Sequence, residues 1–257
     1  MTRPILFVIS DEEQDWIHTI HPEFEFKGGQ PPRSLVGHLH FNYAPPQRAA
    51  TTTDRDPLTS RIRDSYNIEV LFDEPRLAYS FLPAVRELDG RIEKSGQIHG
   101  VANPIDMRIT SQGLMCLCAP LEESECLPNG FCLDRYISEL LVPFLYEQSF
   151  FEQHGVWPWG TRSHGFLGIL ESYADLTSSN RSVKPFEARR TLQSVMNPAN
   201  DRGARWIKKA LEADGPPHGH TLCPCGSGKR FRECHPQAFQ GLWQLWRDIR
   251  DGERHKD

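Results

Sequence analysis

The chain has no excess of positive charge, no apolar run long enough for a bilayer, and no even set of cysteines. Lys and Arg number 29 against 34 Asp and Glu, a formal net charge of −5. The chain as a whole therefore makes no electrostatic case for nucleic acid or an anionic membrane. No stretch approaches the roughly 18–20 apolar residues that span a bilayer. The acidic residues are dispersed, so no acidic tail stands out. Seven cysteines in 257 residues is an odd number on a chain too long to need stapling. That argues against a disulfide scaffold and for a reducing, cytoplasmic setting. There is no internal repeat and no low-complexity block. The opening residues 1–10 run straight into Asp11-Glu12-Glu13 with no small-residue cleavage site, so a first strand is expected there rather than a signal peptide.

What the chain does have is enough apolar residue for a core, 38%, punctuated by 20 prolines and 19 glycines. Residues 11–65 are polar and broken by proline pairs, with one alternating segment, Ser34–Tyr43, expected as a strand. Residues 66–72 and 77–88 read as further strands, with Pro83 marking an edge or bulge. Asp89-Gly90 is a turn signal, residues 91–112 read as loop, and Gly113–Pro120 is a short apolar run. From Leu133 to Gln153 the apolar residues recur at helical spacing, with Asp134 near the start and Gly155 beyond the end. Pro143 is expected to kink or divide that helix. Helices follow near 165–176, 185–196 and 202–213, and residues 213–220 read as a linker. Strands first and helices later predict an α+β fold, an antiparallel sheet flanked by helices, with a small C-terminal module. The expected division is 1–180 for the α+β domain, 181–215 for a helical connection and 216–257 for the module.

That module contains the most specific chemistry in the chain. Cys223 and Cys225 are separated by one residue; after eight intervening residues comes the adjacent pair Cys234-His235. Three thiols and an imidazole are four soft or borderline ligands, the set that suits tetrahedral zinc. Gly226 and Gly228 let the backbone turn tightly enough for both ends to reach one ion. A segment this short cannot bury a core, and a metal can supply ~10–16 kcal/mol of folding free energy to such a module. A hydrolytic zinc is disfavoured, since four protein ligands leave no position for water. Behind it Phe239, Leu242, Trp243, Leu245, Trp246 and Ile249 form an apolar stripe at helical spacing, expected to pack on the knuckle or the main domain.

Residues 223–235, including Gly226-Ser227-Gly228, Lys229 and Phe231, resemble the SEC-C motif, named for the tail of the SecA translocation motor and carried by many otherwise unrelated bacterial proteins. The resemblance implies a zinc ion and an appended module that docks a protein partner, and it does not imply secretion. Lys229, Arg230 and Arg232 would present a basic face to an acidic partner.

A second candidate lies upstream. The segment Gly113-Leu114-Met115-Cys116-Leu117 precedes a helix and the turn Trp157-Pro158-Trp159-Gly160, with His164-Gly165 after it. In the order of its elements and in these two segments, the stretch from about 60 to 175 resembles the bacterial ubiquitin-conjugating-like proteins. The resemblance implies that Cys116 carries a ubiquitin-like modifier as a thioester, received from an activating enzyme and passed to an amine. A thiol suits that task because thiolate is both a strong nucleophile and a good leaving group. The chain departs from the usual His-Pro-Asn segment: His99 stands seventeen residues before Cys116 and is followed by Gly100-Val101, leaving Asn103 as a substitute donor. Cys118 is a second thiol close by. The alternatives are a Cys116 buried as a small apolar residue, and a non-catalytic zinc-containing adaptor. His38 and His40 share one face of their strand and form a weaker metal candidate with no third ligand in view.

Overall fold

The computed structural model of the chain describes residues 7–45, 60–75, 80–101, 104–110, 112–158, 163, 165–178, 184–196, 201–213 and 215–254. It is an α+β protein that divides into two compact units, residues 1–118 with 123–161, and residues 119–122 with 162–257.

In the first unit, helix α1 (Asp11–Ile20) leads into a four-stranded antiparallel meander. The strands are β1 (Glu25–Lys27), β2 (Ser34–Tyr43), β3 (Ile62–Pro75) and β4 (Pro83–Glu87), in the order β1-β2-β3-β4. The strand expected at residues 1–10 is not seen over 7–10, and residues 1–6 lie outside the described ones. Instead Ser10 caps α1: its hydroxyl accepts from the Glu13 amide and the Glu13 carboxylate accepts from the Ser10 amide. This reciprocal capping box explains why a helix starts where three acidic residues follow a short apolar run.

The alternation of Ser34–Tyr43 gives β2 as expected, in register with β3 from Ser34↔Leu71 to Tyr43↔Ile62. Pro83 opens the edge strand β4, where its missing N–H costs no ladder bond. Residues 91–112, expected as loop, hold α2 (Arg91–Ile98) and a 3₁₀ turn at Pro104–Met107. Helix α2 buries only Ile92, Ser95 and Gly96. So thin an apolar stripe is hard to see as periodicity.

After the short α3 (Glu123–Cys126), the long helical stretch starts as α4 (Leu133–Arg135), widens into a π-helix at Tyr136–Leu141 and continues as α5 (Val142–His154). The expected effect of Pro143 is thus resolved by widening. A proline cannot donate to the carbonyl four residues back and its ring crowds that turn, and the extra residue per π turn makes room. Gly155 ends α5 in the left-handed conformation. Helix α5 lies against β2 and β3, and the shared core includes Leu39, Tyr66, Ile68, Val70, Tyr136, Leu141 and Phe150.

One polar network crosses this core. The Arg91 guanidinium bridges Asp64 and Glu152 and lies 4.3 Å over the Tyr66 ring, while the Ser149 hydroxyl donates to Asp64 at 2.6 Å. Partial burial alone would push the Asp64 carboxyl up, but hydrogen bonds from Arg91, Ser149 and the Ser65 amide outweigh it and hold the pKa below its ordinary 3.8.

The second unit is helical: α6 (Gly165–Ser178), α7 (Pro185–Val195), α8 (Asp201–Glu212), the single turn α9 (Phe231–Cys234) and α10 (Pro236–Arg254). Its main contact is α6 against α10. A Cβ on Gly241 would meet the Leu170 carbonyl oxygen at 1.8 Å, so the two backbones approach as closely as only glycine permits. The apolar stripe of α10 is used within this unit: Leu242 and Leu245 join Leu170, Tyr173, Ile207 and Phe231 in its core. The Tyr173 hydroxyl donates to Asp248 at 2.6 Å.

The depressed Asp64 pKa sets a sign. Its contribution to stability is complete above 3.8 and is lost as pH falls through the lower folded-state value. Arg91→Ala should destabilise the chain by about 2 kcal/mol at pH 7, between the values for exposed and buried ion pairs. Urea unfolding should show the gap to wild type shrinking as the pH is taken below 3.8.

Candidate metal centre

The C-terminal motif folds as a small hairpin followed by one helical turn. The Phe231 amide donates to the Thr221 carbonyl and the Cys223 amide to the Lys229 carbonyl, with Leu222 bridged to Arg230. Between the two sides the chain reverses through Gly226 (φ 86°) and Gly228 (φ 74°), left-handed conformations that favour glycine as the sequence leads one to expect. The turn α9 then brings Cys234 and His235 back toward the hairpin. Phe231 holds this turn in place: it is fully buried, edge-on to Trp206 at 5.2 Å and to Phe239 at 5.8 Å.

The result is a convergence of donors. One ligand atom from each of Cys223, Cys225, Cys234 and His235 lies within 4.8 Å of all the others, the one such group among the described residues. Cys223 Sγ is 3.2 Å from His235 Nδ1, and Cys225 Sγ is 3.6 Å from Cys234 Sγ. A tetrahedral shell with metal–sulfur bonds of about 2.3 Å sets neighbouring donors roughly 3.7 Å apart. The donor set and its spacing therefore fit one metal ion. Ser227 supports it from outside, its Oγ 3.1 Å from Cys234 Sγ and accepting from the Lys229 amide at 3.3 Å.

The thiols differ in their readiness to ligate. Burial pushes Cys223 up to about 12, helped by the neighbouring thiols. Desolvation also acts on Cys225, but hydrogen bonds from the Ser227 hydroxyl and amide draw it down to about 7. Without a metal, then, Cys225 ionises before Cys223, and thiolate is the form that binds metal.

The upstream candidates are not gathered in this way. Cys116 follows a short irregular ribbon in which Met115 pairs with Ile109 and Leu114 with Arg86. Leu114 and Met115 are buried while Cys116 is exposed. This corrects the alternative of a buried apolar cysteine: Leu114 and Met115 both take buried positions where the ribbon pairs, and the chain turns outward at Cys116 just beyond them. The Cys116 amide donates to the Arg108 carbonyl at 2.8 Å. Arg108 has φ 60°, pairs with Glu147 and lies 4.4 Å over the Trp157 ring.

His99 is committed elsewhere, its Nε2 donating to the Glu152 carbonyl at 2.9 Å and its ring against Phe151. Asn103, Trp159, Gly160 and His164 lie outside the described residues. Trp157 stacks on Phe151 at 4.5 Å as a core residue. His38 and His40 do share a face, stacked at 6.2 Å, but His40 pairs with Glu23 at 2.9 Å and no metal-type cluster forms around them.

The class of site is thus a closed Cys₃His knuckle. Residues 221–235 match the SEC-C motif family. No curated protein and no solved structure matches the chain, so the resemblance to ubiquitin-conjugating proteins rests on the sequence alone, on its expected order of elements and its two segments. Among the described residues no helix is long and apolar enough to cross a membrane. Metal removal is a direct check on the knuckle. A strong chelator should loosen the hairpin of residues 221–230 and leave the amides of the β2–β3 ladder as protected as before, read by hydrogen exchange.

Proposed function

We propose that the chain is a zinc-holding docking protein of the cytoplasm, in which the knuckle organises a surface for a protein partner. The observation that carries this reading is the mutual approach of the four ligand atoms within 4.8 Å. Zinc is the ion whose preferred geometry and ligand softness match three thiolates and an imidazole. A complete protein shell leaves no open position, so the ion has a structural role. The surface it organises is basic and partly apolar: Lys229, Arg230 and Arg232 are exposed around Leu222, itself 66% exposed. Arg230 leans on Glu233 at 3.5 Å, a weak surface pair that a partner carboxylate can replace. An acidic protein surface with an apolar anchor fits this chemistry.

Elemental analysis of the purified chain should find one zinc per chain, and cobalt substitution should give the absorption of a tetrahedral thiolate site. In Cys225→Ser/His235→Ala both should vanish. Retention of stoichiometric metal by that variant would remove the assignment.

A second reading is supported by the exposure of Cys116. In it Cys116 carries a ubiquitin-like modifier as a thioester, and the knuckle recruits the activating enzyme or the acceptor. Incubation with an activating enzyme and modifier should give an adduct cleaved by thiol, lost in Cys116→Ala and converted to a thiol-resistant ester in Cys116→Ser. An adduct indifferent to both substitutions excludes this reading.

A further inference from the structure

The four knuckle ligands do not share one environment. Cys223 is 4% exposed and belongs to the core of the second unit, and His235 Nδ1 faces its sulfur at 3.2 Å. These two form one edge of the donor tetrahedron, with Cys223 its most buried corner and His235 half-buried, as Cys234 is. The opposite edge is made by Cys225, which is exposed, and Cys234, which is half-buried, with their sulfurs 3.6 Å apart. An oxidant arriving from solvent meets Cys225 first, and Cys234 is the sulfur beside it. Closing it into a disulfide requires the sulfurs to move together by about 1.5 Å. The residues that must yield include Gly226 and Gly228, which carry no side chains to obstruct them.

We infer that the knuckle is a peroxide-released metal site, in which oxidation joins Cys225 to Cys234 and ejects the ion while Cys223 stays reduced beside His235. The inference rests on the reading that these four residues hold a metal. In the first step the Cys225 thiolate attacks one oxygen of a hydroperoxide. The O–O bond breaks, and the leaving alkoxide or hydroxide takes a proton, leaving a sulfenic acid on Cys225. The Cys234 thiolate then attacks that sulfur. The S–S bond forms and hydroxide leaves, taking a second proton to become water. Two thiolates have lost two electrons and the peroxide has gained them. With two of four donors consumed, the ion keeps only Cys223 and His235 and dissociates.

Both alternative pairs, Cys223 with Cys225 and Cys223 with Cys234, need the buried Cys223, and the first would also close a small, strained ring between cysteines one residue apart. The proposed link instead closes the ten-residue segment from Cys225 to Cys234. A covalent link thus replaces the metal link between hairpin and helical turn. Phe231 can stay buried against Trp206 and Phe239 throughout, so release alters the outer loop around Lys229 without detaching the turn.

The test starts with the full chain, its zinc content measured before any oxidant is added. Hydrogen peroxide is then titrated in, released zinc is followed with a chromophoric chelator, and the cysteines are mapped by alkylation and mass spectrometry. One zinc should be lost for each Cys225–Cys234 disulfide, with Cys223 still open to alkylation after denaturation. A thiol reductant plus zinc should restore the site. Cys234→His keeps four donors but cannot form the link, so it should hold zinc and release it about tenfold more slowly or worse. Release at the wild-type rate by that variant overturns the inference, as does a disulfide that includes Cys223. So does zinc retained at peroxide levels that already oxidise Cys116. A chain that holds no metal before oxidation, even after reconstitution with zinc, removes the metal reading itself and the switch with it.

Discussion

The burial of Phe231 is the constraint on which the metal centre depends. The knuckle is too short to have a core of its own, and four donor side chains on a free loop would have to be ordered by the ion alone. Phe231 begins the helical turn that ends in Cys234 and His235, and its ring is locked between Trp206 and Phe239. One aromatic side chain thus positions the second half of the ligand set before a metal arrives. Cys223, buried in the same core, positions the first. Preorganisation of this kind lets the binding free energy of the ion go into holding the hairpin rather than into folding the turn. It also leaves the ligands unequal: Cys223 is buried in the core, Cys234 and His235 are half-buried, and Cys225 is exposed.

The first unit rests on different physics. Its sheet and the long helix α5 share a continuous apolar core, and the polar group set within it, Arg91 between Asp64 and Glu152, is satisfied on every side that the structure shows. A partly exposed network of that kind contributes modestly to stability when complete and costs about 2 kcal/mol when its central partner is removed. The exposed Cys116 is a by-product of the same packing, because the ribbon that carries it gives its inward positions to Leu114 and Met115.

Much of this was legible in the sequence where periodicity was strong. The ten-residue alternation of β2 and the apolar spacing of the helices around 133–153 and 236–254 needed no tertiary knowledge. Legibility failed where the local signal was weak or was read for the wrong element. Ser10 and Glu13 spell a capping box, yet the apolar residues before them suggested a strand. Helix α2 has too few buried positions to show a period. Pro143 announced a disturbance without saying that it would take the form of a π-helix.

The sequence by itself determined the candidate metal-ligand set. Ligand identity and spacing are local properties, and the two glycines between the cysteine pairs are where the backbone must turn left-handed. Only the tertiary structure decided which ligands face solvent, because burial depends on what α8 and α10 place behind Phe231 and Cys223. Only the tertiary structure, likewise, decided that Cys116 points outward and that His99 is spent on a backbone carbonyl. An apolar neighbourhood in sequence does not say which side of a ribbon the core will lie on, since that is set by partners dozens of residues away.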